Sequence, residues 1–532
     1  MGEARTTPDT AWLSQYQALA QLAYTVRHLC PRLPVLGIAV LHPRHPIPPD
    51  HLQLLNVLAR DGVGTSARAT RRPSLPPLLR LVTRWLWCLL FALRDSLKIL
   101  WLNMRFGGTL RRLMSKPAAV ILKTWRFSAQ AANGATDFYY GSLPAKLEER
   151  GIPCLLLCGD ARGLIDSAFT NAALKPEGSR TVPEQLLVPI WAPLLTVCQQ
   201  LSVGLALQRL ARALKDKPLA AVCASAALGS VHPSTLRNTV MFYIARSAVK
   251  TWRPRVFVTL YEGQPWELPA RHGAKAADPS CVTVGYQHTV IMPHSFSLRW
   301  PNHGSWELST PDVVLCLSER TGNMLRAGCE PHRTKLISFG SFRRASDEAL
   351  PSPPKPGLRT VLVVPESGVI WEAQLLFHFA MRSAALLPDH RFIFRCHPVM
   401  PFARILPSLD WDPRELSTIE VSDQPIGMDL ARSSAVLYRG SSSVLYAVLH
   451  GLKPIYLHDE HHLDVDPLFE LTNWREYVST PEELEHLLRR YAMTADDLAA
   501  EQSRNAVAYV HDYTRPVTEA SLDQFLEVVG LR

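Results

Sequence analysis

The strongest chemical signal in the chain is Tyr438-Arg-Gly-Ser-Ser-Ser-Val-Leu-Tyr-Ala-Val-Leu-His-Gly451. An apolar strand ends at Arg439 and Gly440, three serines follow (Ser441, Ser442 and Ser443), and a helical pattern opens. Backbone N–H groups, the helix dipole and small hydroxyl donors converge at such a turn, and the phosphate of a nucleotide is their natural ligand. The plainer alternative is an N-capped helix, since serine is a common cap. Arg395-Cys-His-Pro398 adds a second group: His397 closes a strand and Pro398 forces a turn, so the imidazole can donate to a phosphate or assist its departure. A third, Glu366-Ser-Gly-Val-Ile-Trp-Glu372, sets Glu366 and Glu372 around a glycine turn, where they can hold ribose hydroxyls or act as dipole partners of a helix start. Together Glu366, Glu372, His397, Pro398, Arg439, Gly440 and Ser441–Ser443 form the expected nucleotide-binding set, and no metal is expected with it.

The first half of the chain offers groups of another kind. Tyr261-Glu-Gly-Gln-Pro-Trp-Glu267 and Gly285-Tyr-Gln-His288 each close an apolar run, which puts Glu262, Glu267 and His288 at strand ends. Deprotonating a hydroxyl needs a base within hydrogen-bond reach, so these three, with His397, are the catalytic candidates. Asp137 either contacts a substrate or caps the helix that follows it.

These residues have to be positioned by alternating short apolar runs and amphipathic stretches, which begin at residue 118 and predict an α/β architecture. Strands are expected at 118–125, 152–159, 255–262, 281–288, 312–319 and 335–341, with helices at 137–150, 188–215 and 233–252. A Pro- and charge-rich stretch, 343–358, reads as a linker. A second series follows, with strands at 360–366, 391–397, 418–422, 435–439 and 454–458 and a helix opened by the capping box Thr480-Pro-Glu-Glu483. A last amphipathic helix covers 517–530. The predicted organisation is an N-terminal helical extension (1–115), a Rossmann-like domain (116–342), the linker (343–358) and a second Rossmann-like domain (359–532). A cleft is expected where the strands' carboxyl ends face each other.

The 532 residues, 47% hydrophobic and 20% charged, exclude a disordered chain. The formal charge of +10 is concentrated: eleven Lys/Arg and a single acid, Asp95, lie between Arg68 and Lys116. Within that segment 79–102 is apolar with three tryptophans, but its longest uncharged run is far short of the roughly 20 residues that span a bilayer. Two readings stay open, a helix lying on an anionic membrane surface through residues 68–116 and a core-packed helix with a solvated basic side. No nucleic-acid module accompanies the charge, so no nucleic-acid partner is expected. Ten scattered cysteines with no metal spacing, and no signal-peptide pattern, point to a cytoplasmic protein, peripheral at the inner membrane if the basic segment meets lipid.

Glu262-Gly-Gln-Pro-Trp-Glu267, Gly285-Tyr-Gln-His288 and the later Pro-Asp-Val-Val-Leu-Cys together resemble surface-carbohydrate (O-antigen type) biosynthesis proteins, regarded as GT-B glycosyltransferases. His397-Pro398 and Ser441-Ser442-Ser443 are similar to the His-Pro and Ser-rich motifs of bacterial sialyltransferases and capsule Kdo transferases. The resemblance covers about 118–460 and implies a GT-B fold and a CMP-activated acidic sugar as donor. It also implies a glycan or lipid-linked glycan acceptor, and an acidic base in the N-terminal domain. It implies no resident cofactor, the nucleotide sugar being a co-substrate. The acidic base motif of the sialyltransferases has no clear counterpart here. The alternatives are a nucleotide-sugar epimerase, a non-catalytic subunit of a polysaccharide assembly complex, and a polymer phosphotransferase using a CDP-alcohol.

Overall fold

In the computed structural model two parallel sheets organise the chain, and residues 76–126, 137–161, 163, 165–175, 180–293, 295, 298, 310–326, 334–343, 357–366, 370–397, 400–460, 462, 464–493 and 496–532 are described. Most of the predicted extension (1–75), nearly all of the predicted linker and Pro398 lie outside these residues. The chain divides into an N-terminal unit, which includes residues 516–532, and a C-terminal unit, which includes residues 289–294.

The N-terminal unit opens with α1 (Pro77–Met114), started by Pro76-Pro77 at a position where a missing N–H costs nothing. Seven parallel strands follow: β1 (Val120–Arg126), β2 (Cys154–Asp160), β3 (Thr181–Pro183), β4 (Val256–Leu260), β5 (Val282–Tyr286), β6 (Val313–Cys316) and β7 (Lys335–Ser338). Their order is β3-β2-β1-β4-β5-β6-β7. The helices between them are α2 (Leu143–Glu149), α3 (Ser167–Leu174), α4 (Ala192–Ala213), α5 (Lys217–Ser230), α6 (Pro233–Trp252), α7 (Glu267–Ala277) and α8 (Glu319–Arg326). Strands buried on both faces read as continuous apolar runs, which is why β1, β2 and β4 stand out in the sequence. Lys123, inside β1, is wholly buried; its ammonium pairs with Glu184 at 3.0 Å and lies over the Trp125 ring at 3.3 Å.

The C-terminal unit has six parallel strands: β8 (Thr360–Val364), β9 (Arg391–Arg395), β10 (Ile419–Ser422), β11 (Ala435–Tyr438), β12 (Lys453–Leu457) and β13 (Glu476–Val478), ordered β10-β9-β8-β11-β12-β13. Its helices are α9 (Ile370–Leu386), α10 (Phe402–Ile405), α11 (Ile426–Ala431), α12 (Ser443–Leu449), α13 (Pro481–Ala492) and α14 (Asp496–Tyr513). The capping box at Thr480 and Glu483 forms as expected. Both sheets thus run outward from a central pair, β1/β4 and β8/β11, the doubly wound order in which ligands bind at the carboxyl ends beside the reversal.

Two sequence expectations are corrected. The helix expected over 137–150 is only Leu143–Glu149, because Gly141 takes a left-handed φ of 50° and Asp137 folds the chain into a turn first. The last helix, α15 (Glu519–Val528), forms as expected, but not in the second domain. Leu522, Phe525, Leu526 and Val529 are buried in the N-terminal core, Phe525 meets Phe339 edge-on at 5.8 Å, and Arg255 Nε donates to the Val529 carbonyl. The C-terminal unit therefore ends at Arg515.

Candidate functional site

Register decides which residues share an edge. In the C-terminal unit Val363 pairs with Phe394 and Val364 with Tyr438, so counting on along the strands brings Glu366 level with His397 on one side and Gly440 on the other. Gly440 confirms the contact: a Cβ there would stand 2.8 Å from the Glu366 Cβ, and its φ of 70° favours glycine. Ser441, Ser442 and Ser443 follow at once, all half-buried. None of their hydroxyls caps α12; Ser441 Oγ and Ser443 Oγ instead share a 2.6 Å hydrogen bond. The plain capping alternative for this loop is therefore not what the side chains do.

Two members of the nucleotide-binding set face elsewhere. Arg439 is buried, its Nε donates to Glu372 at 2.5 Å, and Nη1 donates to the Tyr456 hydroxyl and the Leu457 carbonyl. Burial pushes the Glu372 carboxyl up to about 7 against the pull of the guanidinium. The pair clamps the base of the serine loop to α9 and β12. His397 is half-buried at its strand end, and its carbonyl takes the Met400 amide as the chain turns. One neighbour was not anticipated: Trp371, at the start of α9, stacks on His462 with centroids 4.7 Å apart, and His462 is bonded to Asp459. The sequence near 458–466 is rich in His and Asp, but no spacing in it signals a partner on α9.

The N-terminal unit has the matching edge. Leu122 pairs with Val258 and Leu260 with Tyr286, which brings Arg126, Glu262 and His288 to one level beside the β1/β4 reversal. His288 Nε2 is hydrogen-bonded to Glu262 Oε1, and the buried Nδ1 has no hydrogen-bond partner among the described residues. With Nε2–H donating to the carboxylate, Nδ1 carries the lone pair. Burial holds the imidazole below its ordinary value near 6.5, opposed by Glu262, so it is neutral and able to accept a proton at pH 7. Tyr139 meets the His288 ring edge-on at 4.7 Å, and the Arg343 guanidinium lies over Phe138 at 4.3 Å. Phe138 is exposed, so an aromatic and a cation flank the dyad.

Glu267 does not join it. Its Oε1 accepts from the Glu262 and Gln264 amides at 2.9 and 3.0 Å, and burial pushes the carboxyl up to about 7. It shapes the loop that presents Glu262. Asp137 accepts from the Tyr139 and Tyr140 amides and from Thr124, so it closes the turn before the helix and does not cap the helix, whose N-cap is Ser142. Arg126, Tyr139 and Arg343 were missed in the sequence. Arg126 gains its position only from strand order, and Arg343 sits at the head of the stretch read as linker.

No family model matches the sequence, and no curated protein does. Among solved structures the chain is similar to a glycotransferase of kitacinnamycin, at 14% identity over 78% of this chain and 99% of that one, TM-score 0.44. It is also similar to UDP-GlcNAc 2-epimerase from Neisseria meningitidis, bound to UDP-GlcNAc, at 11% identity over 74% and 99%, TM-score 0.42. The glycosyltransferase SnogD from Streptomyces nogalater matches at 15% identity over 77% and 100%, TM-score 0.39. At this level of similarity nothing about substrate or reaction carries over to this chain.

Proposed function

We propose that the chain is a GT-B-type glycosyltransferase of bacterial surface-polysaccharide synthesis, acting in the cytoplasm on a nucleotide-sugar donor and a glycan or lipid-linked glycan acceptor. The observation that carries the reading is the level set of Glu366, His397 and Gly440 beside the β8/β11 reversal, with the three serines directly after it. In it, the serine hydroxyls and the neighbouring amides hold the donor phosphate, His397 donates to the same group, and Glu366 takes the ribose hydroxyls. A CMP-activated acidic sugar, Kdo or a nonulosonic acid, is the favoured donor, on the likeness of the His-Pro and Ser-rich motifs.

The His288–Glu262 dyad serves the acceptor. The acceptor hydroxyl gives its proton to the dyad as its oxygen attacks the anomeric carbon, and the bond from that carbon to the phosphate oxygen breaks. The nucleotide leaves with the bonding electron pair, and Glu262 stabilises the imidazolium that results. Arg343 and Phe138 offer a cation and a flat apolar face to an acidic glycan.

Thermal shift of the purified protein against CMP, CDP, UDP and GDP tests the donor half, because a ligand that binds only the folded chain raises Tm. A rise with CMP alone is the expected outcome, and a rise with UDP alone overturns the CMP assignment. Acceptor-dependent nucleotide release then separates transfer from its rivals. A sugar nucleotide altered without acceptor would make the chain an epimerase instead, and no nucleotide response at all would favour a non-catalytic subunit.

A further inference from the structure

Helix α1 has two unlike long faces. One is docked on the N-terminal unit: Leu81, Cys88, Ala92, Ile99, Leu102 and Phe106 are buried, Trp85 Nε1 donates to the Val197 carbonyl, and Ser96 Oγ to that of Ile190. The opposite face carries Leu86, Leu90, Leu93, Leu97, Leu100 and Met104, all exposed, Leu90 by 59%, Leu97 by 66% and Met104 by 69%. Their alternating spacing of four and three puts them in one stripe about 27 Å long on an α-helix. Trp87 and Trp101, also exposed, border it.

Charge selects the occupant. The exposed ionic residues of α1 are Arg84, Arg94, Lys98, Arg105, Arg111 and Arg112, all basic. The helix's single acid, Asp95, is buried and taken by Arg94. Arg94, Lys98, Arg105 and Arg112 fall along one flank of the stripe, so a second copy seated antiparallel on it would bring like charges together there with no carboxylate of the helix to meet them. A bilayer surface of anionic phospholipid supplies the missing charge, admits the leucines to its acyl boundary and seats tryptophan at headgroup level. No single helix among the described residues is long and apolar enough to cross a membrane, so the contact lies along the surface. We propose that the outward face of Pro77–Met114 docks the protein flat on an anionic phospholipid bilayer. This stands independently of the glycosyl-transfer reading.

Co-sedimentation of the full chain with phosphatidylcholine vesicles, with and without phosphatidylglycerol, tests it. Binding should require phosphatidylglycerol and weaken with salt. It should fall about fivefold for each of K98S and R105S. L90E and L97E, at exposed positions that leave the docked face intact, should reduce it by about tenfold or more while circular dichroism and Tm are unchanged. Failure to bind phosphatidylglycerol vesicles at low salt overturns the proposal. So does a concentration-dependent dimer, seen by sedimentation, that L97E dissociates, since a second copy would then own the stripe. Acrylamide quenching that reports Trp87 and Trp101 as shielded in the free chain would assign the face to the chain's own N-terminal residues and overturn it equally.

Discussion

Gly440→Ala is the sharpest probe of the C-terminal edge, because two separate costs meet at one atom. The first is the backbone: at φ 70° a residue with a Cβ costs about 1–2 kcal/mol. The second is steric: the new methyl would stand 2.8 Å from the Glu366 Cβ and 2.9 Å from Oε2, and relieving such overpacking costs about 1–3 kcal/mol. Only the second depends on Glu366, and only Gly at 366 removes the Cβ that is struck. In a cycle of G440A, E366G and the double variant, the double should therefore be less damaging than the sum by the steric share, with the backbone share remaining. A chain of two units does not unfold in one step, so the readout is amide exchange in peptides covering β11 and α12, which reports local opening. Additivity within about 0.5 kcal/mol would mean the two residues do not touch. The level arrangement of Glu366, His397 and Gly440 would fall with that result.

Three further outcomes are expected. H288A should lower kcat by about a hundredfold or more with nucleotide affinity unchanged, E262Q by less, and wild-type kcat/KM should rise with pH through a midpoint below 6.5, because burial favours the neutral imidazole that acts as base; a midpoint above 7 would count against His288. G273A should be among the most destabilising single-methyl changes, at about 1–3 kcal/mol by amide exchange in peptides covering α6 and α7, because its Cβ would stand 2.1 Å from the Phe242 carbonyl oxygen where α7 crosses α6; unchanged exchange there would refute that close approach. R439M should cost about 3–5 kcal/mol by stranding Glu372, and R439M/E372L should recover most of it, since removing both partners of a buried pair is tolerated better than removing one; a double variant as unstable as R439M would show that the pair is not an isolated unit.

Eleven of the thirteen strands were legible in the sequence, most plainly the interior ones, where burial on both faces left a run of apolar residues. The two it hid, Thr181–Pro183 and Glu476–Val478, are three-residue edge strands with no run to detect. Amphipathicity announced the last helix but could not say which sheet its apolar face covers, because Leu522 and Phe525 would suit either core. Site residues were found as strand-end residues, and that was enough to gather Glu262 with His288 and Glu366 with Gly440. Their spent or unspent state was not readable. Glu267 and Arg439 have the same composition signal as their neighbours, and only their folded partners, loop amides close by for Glu267 and groups on distant elements for Arg439, show that they hold loops.

The equal strand order of the two units makes the difference between their edges informative. Arg126 and Glu262 end the two strands that flank one reversal and Glu366 and Gly440 those that flank the other, while His288 lies one strand beyond in the first unit and His397 one strand before in the second. A carboxylate occupies a position next to the reversal in both, but its neighbours differ. Glu262 has an imidazole to polarise. Glu366 has a glycine against it and serines beyond, groups that accommodate a ligand and do not share a proton with the acid. An anionic phosphate drawn to those serines is repelled by Glu366, and hydroxyls of a ribose beside the phosphate reduce that repulsion by donating to the carboxylate, which inorganic phosphate does not do. On the proposed reading, the edge therefore selects a whole nucleotide over phosphate, and E366Q should narrow that preference by strengthening phosphate more than CMP. Equal effects on the two ligands, measured by calorimetry, would remove Glu366 from the ribose role.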